Sequence, residues 1–190
     1  MEKDGVVIIG GSAGSIEVIM NLLPFFSENF PCPIVVVIHR KNTLENHLVD
    51  VLNKKCKLKV FEIQDKMQLE RNTIYLAPGD YHLLVDARGC LYLDYSEKIN
   101  FSRPSIDVTF DSFAKAFAEK CIGILLSGAN ADGAKGLESI KNSGGITIVQ
   151  SPESSVISTM PMSAIKLFEP DMILEPVKIA AYFMSRFNLA

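Results

Sequence analysis

The first 23 residues constrain the fold more than any other part of the sequence. Val6 to Ile9 are all apolar and β-branched, which predicts a strand that is buried on both faces. The glycines that follow permit a sharp turn that side chains would obstruct. Ser12 is therefore expected in a strand-to-helix turn, beside the free N–H groups of a helix start. The apolar face of that helix is predicted at Ile16, Ile19, Met20 and Leu23.

The turn at residues 10–14 fits more than one function. It spells G-x-S-x-G, the pattern in which a strained turn exposes a nucleophilic serine. A dinucleotide fingerprint would need glycine at both 12 and 15, where the sequence has serine, and a phosphate loop would need a lysine that is missing. Ser12 and Ser15 could equally serve only as helix caps. The turn by itself leaves catalysis and capping open.

Length and charge restrict the class of protein. A chain of 190 residues suits one domain, 1–190, with room for a large core. The net charge of -3 argues against a general binder of nucleic acid or of membrane surfaces. The start of the sequence has no signal-peptide pattern, and no apolar run is long enough to span a bilayer. We expect a cytoplasmic protein without membrane insertion.

The cysteines and histidines do not suggest a metal or a cofactor. The four cysteines lie far apart and form no C-x-x-C pair, so free buried thiols in a reducing compartment are expected. The three histidines do not cluster, and no H-E-x-x-H motif occurs. The cysteines are Cys32, Cys56, Cys90 and Cys121.

Strands and helices alternate along most of the chain, which predicts an α/β fold: a doubly wound, mostly parallel sheet with helices on both faces. Residues 81–86 and 90–95 form one antiparallel hairpin that could sit apart from the main sheet. Ligand sites in such sheets lie at the carboxyl ends of the strands, where the strand order reverses. The first strand is expected to be that place, with its neighbours ending at His39 and near Gly128.

Two helices carry recognisable start signals. Asn42 followed by Glu45 resembles a capping box, and the helix after it has an apolar face that includes Leu44 and Val51. The other helix opens at Ser105 and is predicted to bury a stripe at helical spacing. That stripe consists of Ile106, Phe110, Phe113 and Phe117.

Ser12, His39 and Asp132 each follow a different buried strand at the same edge of the predicted sheet. A nucleophilic serine needs a base to take its proton and a third group to orient that base. Among the other histidines, a partly buried packing role is expected for His47, and His82 is the reserve base. Asp132 could instead be a turn and capping residue, because Asn-x-Asp-Gly before a helix is good turn chemistry.

Arg40 and Lys41 support a different class of function. Basic residues after the second strand can meet an anionic group in dinucleotide folds, so a nucleotide- or phosphate-binding module is the alternative. The order serine, histidine, acid also differs from the α/β-hydrolases, in which the acid precedes the histidine.

Several motifs together resemble the catalytic domain of the chemotaxis protein-glutamate methylesterase family, the CheB type. Each motif alone is modest, but their shared order and spacing over most of the chain is specific. The matching segments are IGGSAG at 9–14, IH at 38–39, YLAPGDYH at 75–82, RPSID at 103–107, LSGANADG at 126–133, and the stretch from Val156 to Met160-Pro161.

The resemblance implies a serine hydrolase with the triad Ser12, His39 and Asp132. It also implies hydrolysis of glutamyl γ-methyl esters on chemoreceptors in chemotaxis, with glutamine deamidation as a related activity. Backbone N–H groups of Ala13 and Ala129 would donate to the oxyanion. Met160 would belong to an apolar rim that meets the protein substrate.

The resemblance covers the catalytic domain, without the receiver domain that usually precedes it in this family. Regulation by phosphorylation within the same chain is therefore not implied, and two alternatives stay open: an unregulated protein, or control by a response-regulator partner in trans. A family member that binds receptors with little catalysis is a further alternative, against which the intact triad residues argue.

Overall fold

The computed structural model describes residues 5–40 and 47–189. Within that part of the chain the strands are β1 (Val6–Gly11), β2 (Ile34–Ile38), β3 (Lys59–Glu62), β4 (Thr73–Leu76), β5 (His82–Val85), β6 (Leu91–Asp94), β7 (Cys121–Leu125), β8 (Ile146–Gln150) and β9 (Met172–Leu174). The α-helices are α1 (Ser15–Leu22), α2 (Leu48–Asn53), α3 (Ile106–Phe117), α4 (Ala134–Asn142), α5 (Thr159–Leu167) and α6 (Pro176–Arg186).

Seven of these strands form a parallel sheet in the order β3-β4-β2-β1-β7-β8-β9. Strand β1 lies between β2 and β7, so the strand order reverses there, as predicted. Strands β5 and β6 pair antiparallel in a separate two-stranded sheet. The predicted fold class is confirmed, and the carboxyl end of β1 is the expected place for a ligand site.

The core has two layers because β1 is apolar on both faces. Val7 and Ile9 pack into one cluster with α1, α2 and α6. Val6 and Ile8 pack into the other cluster with α3, α4, α5 and the β5–β6 hairpin. Helices on both faces remove the sheet from water, which matches the apolar β1, β2 and β7. The predicted stripe of α3 is fully or almost fully buried: Ile106, Phe110, Phe113 and Phe117.

Two short helices differ from the prediction. Helix α1 turns Ser15, Val18, Ile19 and Leu22 towards the core, so Ile16 is exposed. The prediction for His47 is wrong: it is exposed, because it precedes a one-and-a-half-turn surface helix in which only Leu52 is fully buried. The capping box at Asn42 and Glu45 lies outside the described residues.

The cysteines are free thiols, as predicted, but only two of them are fully buried. Cys32 and Cys121 lie in the core, and burial raises the pKa of the Cys121 thiol to about 12. Cys56 and Cys90 are half-buried. None of the described helices is long and apolar enough to cross a membrane.

Candidate active site

The carboxyl end of β1 places Ser12 between the ends of two neighbouring strands. Gly11 pairs with Ile38 in the β1–β2 register, so Ser12 and His39 are the next residues along the two strands. The His39 N–H donates to the Gly11 carbonyl oxygen at 3.3 Å, and the Ser12 N–H donates to the Ser127 carbonyl oxygen at 2.9 Å. The main-chain ladder therefore continues past the strand ends and brings three loops together at this point.

The turn after Ser12 leaves its hydroxyl unused by the backbone. Gly14 has a φ of 83°, and a Cβ there would lie 2.6 Å from the Cβ of Val156, so this position needs glycine. The hydroxyl of Ser15 donates to the Ser12 carbonyl oxygen at 2.6 Å. Helix α1 has no side-chain cap, and among the described residues the Ser12 hydroxyl has no hydrogen-bond partner. Ser12 therefore does not have the capping role that the sequence left open.

His39 and Asp132 form a direct contact across 93 positions of sequence. The His39 Nε2 lies 2.7 Å from Asp132 Oδ2, with 15% of the His39 side chain exposed and none of the Asp132 side chain. An ionised carboxylate can only accept, so Nε2 carries the proton and Nδ1 is left as the acceptor. The ring thus has one nitrogen available to take a proton from a hydroxyl group.

The Asp132 carboxylate also lies at the start of α3. It accepts from the N–H groups of Ile106 (2.7 Å) and Asp107 (3.1 Å) and from the Ser105 hydroxyl (2.9 Å). Burial by itself raises the pKa of Asp132, but the hydrogen bonds from His39, the two N–H groups and Ser105 outweigh it, so the pKa is lowered. The helix dipole acts in the same direction. Asp132 is therefore ionised at neutral pH.

The pH dependence of folding tests this ionised state. A lowered pKa in the folded protein means that the unfolded chain, with an aspartate pKa of about 3.9, binds more protons near pH 4. The contribution of Asp132 to stability is present above that pH and is lost as the pH falls through the lowered pKa. We expect urea denaturation to show a stability gap between the wild type and Asp132→Asn that narrows on acidification. A gap that widens at low pH would contradict the assignment.

The prediction of His82 as a reserve base is wrong, because this side chain is fully buried and both ring nitrogens are engaged. Its Nδ1 accepts from the Ser105 N–H at 3.1 Å, and its Nε2 donates to the Glu97 carbonyl oxygen at 3.0 Å. His82 thus supports Ser105, which caps α3 and bonds to Asp132. This role of Ser105 was not predicted from the sequence, although a serine at the start of a predicted helix was a usable signal.

The N–H groups of Ala13 and Ala129 are available for a ligand. Both residues are exposed, and no described residue accepts a hydrogen bond from either N–H group. The buried Ser127 hydroxyl holds the turn at Ala13: it donates to the Ala13 carbonyl oxygen at 2.8 Å and accepts from the Ile157 N–H at 2.9 Å. Ser127 therefore links the turn of the serine to the loop before α5.

Met160 does not line a surface in this structure. Its side chain is fully buried in the core cluster with α3 and α4. A Cβ at Gly128 would lie 2.5 Å from the Met160 Cε, and the Met160 N–H donates to the Gly128 carbonyl oxygen at 3.0 Å. Met160 supports the turn that follows β7, so the expectation of an apolar substrate rim at this residue is wrong.

The observations at Arg40 weaken the alternative of a phosphate-binding module. The Arg40 Nε donates to the Ala77 carbonyl oxygen at 3.0 Å, and its Nη2 pairs with the carboxylate of Glu62. Its guanidinium group is thus committed within the protein. Lys41 lies outside the described residues. No group of three His, Cys, Asp or Glu side chains among residues 5–40 and 47–189 is placed to hold a metal ion.

A comparison with protein-family models identifies the family. The model for CheB methylesterase matches residues 7–183, which is most of the chain. The chain belongs to the CheB methylesterase family. This confirms the resemblance drawn from the sequence motifs.

Relatives of the CheB methylesterase family match over different shares of their lengths. A Leptospira interrogans protein, provisionally named protein-glutamate methylesterase/protein-glutamine glutaminase, is 39% identical over 94% of this chain and 92% of its own length. A Thermotoga maritima protein named protein-glutamate methylesterase/protein-glutamine glutaminase is 36% identical over 92% of this chain and 52% of its own length. The Myxococcus xanthus protein-glutamate methylesterase FrzG is 33% identical over 94% of this chain and 54% of its own length. The chain thus spans about half the length of the Thermotoga maritima and Myxococcus xanthus relatives.

The fold matches a solved structure of a CheB methylesterase. The crystal structure of the catalytic domain of the Thermotoga maritima CheB methylesterase superposes with a TM-score of 0.92 at 34% identity. The match covers 97% of this chain and 99% of that one.

Proposed function

We propose that this protein is a serine hydrolase that removes methyl groups from glutamyl γ-methyl esters of chemoreceptor proteins, as one catalytic domain over residues 1–190. The observation that carries the proposal is the 2.7 Å contact between His39 and the buried Asp132. Ser12 lies at the adjacent strand end, and its hydroxyl bonds to no described residue. Family membership and the names of the relatives support the same reaction class.

Each residue of the site has a defined task in this reaction. The Ser12 oxygen attacks the ester carbonyl carbon while His39 Nδ1 takes the hydroxyl proton. Asp132 holds the ring in the required tautomer and balances the positive charge that forms on it. The N–H groups of Ala13 and Ala129 stabilise the negative oxygen of the tetrahedral intermediate.

The second half of the reaction restores the enzyme. The imidazolium returns its proton to the departing oxygen, so methanol leaves and the glutamyl group remains as an ester of Ser12. Water, with its proton taken by His39, then attacks this ester. The imidazolium returns that proton to the departing Ser12 oxygen, which releases a glutamate side chain and regenerates the serine. The same sequence on glutamine would release ammonia, which is the deamidation that the names of the relatives include.

The reaction defines one partner, a methylated chemoreceptor as the substrate. The family resemblance suggests a second, a response regulator that acts in trans. A site that engages a membrane-bound receptor from the aqueous side needs no membrane-spanning segment of its own.

Methanol release tests the proposal. The full chain is incubated with receptor membranes that carry isotopically labelled methyl esters, and volatile label is counted. We expect time-dependent release of methanol and labelling of Ser12 by a fluorophosphonate probe. Release without Ser12 labelling would overturn the triad, and labelling without release from the receptor would overturn the substrate class. The absence of both would remove the hydrolase proposal.

A further inference from the structure

A short hairpin beside the candidate triad presents an aromatic side chain to solvent. Ile99 and Ser102 exchange two main-chain hydrogen bonds of 3.2 Å and 2.9 Å, so Asn100 and Phe101 form a two-residue turn. The Phe101 side chain is 99% exposed. It is the most exposed large apolar side chain among the described residues.

Folding does not explain a phenylalanine at this position. Asn100 and Phe101 have φ values of 49° and 64°, as a type I′ hairpin turn requires. Asparagine suits the first position of such a turn, but glycine suits the second, where a bulky residue is strained. Because the Phe101 ring buries almost nothing, packing does not offset this strain.

The hairpin tip borders two cavities, each of which is lined by one residue of the candidate triad. Phe101 lines a cavity of about 280 Å³ together with His39. It also lines a second cavity, of about 520 Å³, together with Asp132. A protein segment that reaches His39 through the first of these cavities therefore passes the Phe101 ring.

Basic residues outnumber acidic ones in the cavity that contains His39, although the whole chain has a net charge of -3. Arg40, Lys98 and Arg103 line it together with one carboxylate, that of Asp80, and Arg40 is paired with Glu62. Lys98 makes no ion pair within the described parts of the chain. The Arg103 guanidinium stacks on Tyr95 at 3.8 Å and donates to the carbonyl oxygens of Tyr95 and Ser96. It forms no salt bridge with a described carboxylate. An acidic partner would complement this cavity.

We propose that the hairpin at 98–102 is a docking element for the protein substrate. Phe101 packs against an apolar side chain of the segment that bears the glutamyl ester, and Lys98 faces carboxylates of the same segment. This assignment rests on the proposed function, because it assumes that the substrate is a protein. It makes Phe101 a specificity residue that acts on binding and leaves the bond-breaking steps to the triad.

The variant Phe101→Gly separates docking from folding and from chemistry. We expect kcat/KM for methylated receptor to fall about tenfold, through KM, because exposed aromatic anchors dominate binding at such surfaces. Hydrolysis of p-nitrophenyl acetate, which is too small to span the hairpin, should stay within about twofold. The melting temperature should be equal or higher, since glycine relieves the strain at a positive φ. Phe61→Ala, which removes an exposed aromatic ring from the edge strand β3, is the matched control and should leave both activities unchanged.

A binding measurement keeps the test independent of catalysis. Sedimentation of the Ser12→Ala variant with methylated receptor membranes, with and without Phe101→Gly, should show about tenfold weaker binding without the ring. Equal binding, or an equal loss of activity on receptor and on small ester, would overturn the docking role. If the wild type releases no methanol but Phe101→Gly still weakens receptor binding, the proposed function fails and the docking surface stands.

Discussion

Replacing Ser12 with alanine is expected to lower methanol release by at least about 10⁴-fold, because the reaction then lacks its nucleophile. Among the described residues, the two serine hydroxyl groups that contact the turn at Ser12 are committed to other partners. Ser15 donates to the Ser12 carbonyl oxygen, and Ser127 is committed to Ala13 and Ile157. The melting temperature should not change, since the Ser12 hydroxyl bonds to no described residue in the folded state.

The matched control is Ser143→Ala. Ser143 follows the carboxyl end of α4 and precedes β8, so it lies at the edge of the sheet opposite to Ser12. Its substitution should leave methanol release unchanged. If the Ser12→Ala protein is folded, by near-ultraviolet circular dichroism, and still releases methanol at more than about 1% of the wild-type rate, Ser12 is not the nucleophile.

Replacing Asp132 with asparagine should damage both activity and stability. We expect a loss of about 10⁴-fold in kcat, because an amide does not hold the His39 ring in the tautomer that leaves Nδ1 free. The amide also cannot accept all the bonds that the carboxylate receives from Ile106, Asp107 and Ser105. The free energy of unfolding should fall by about 1–3 kcal/mol in urea denaturation at neutral pH.

Asp107→Asn provides the comparison for Asp132→Asn. The Asp107 carboxylate lies at the same helix start: it accepts from the Gly136 N–H at 2.8 Å, and burial raises its pKa. It does not bond to His39, so methanol release should stay close to that of the wild type. Equal losses of activity in the two variants would mean that Asp132 acts only through the structure of α3.

The sequence predicted the structure best in segments whose own residues indicate which side chains are buried. Strand β1 has only β-branched apolar residues before Gly10, which favours a strand buried on both faces. The stripe from Ile106 to Phe117 repeats at helical spacing, and it is the buried face of α3. Placing β1 at the reversal of the strand order then indicated that the loops after β1, β2 and β7 meet at one edge.

The predictions that failed concern side chains whose surroundings come from distant segments. Ile16 has the same spacing as its buried neighbours, but the rotation of α1 about its axis depends on what the sheet presents to it. Met160 faces the space that Gly128 leaves open, and that contact joins α5 to the loop after β7. Local patterns carry no information about either packing partner.

The order of the elements and the α/β class could be read from the residues alone, because periodicity and glycine turns are local properties. Which histidine is available, in contrast, depends on the folded arrangement of the chain. His39 meets Asp132, whereas His82 is enclosed between Ser105 and Glu97. The folded arrangement also decided that Arg40 pairs with Glu62 instead of facing an anion. These outcomes depend on hydrogen bonds between segments far apart in the chain, and such bonds exist only once the sheet has brought the loops together.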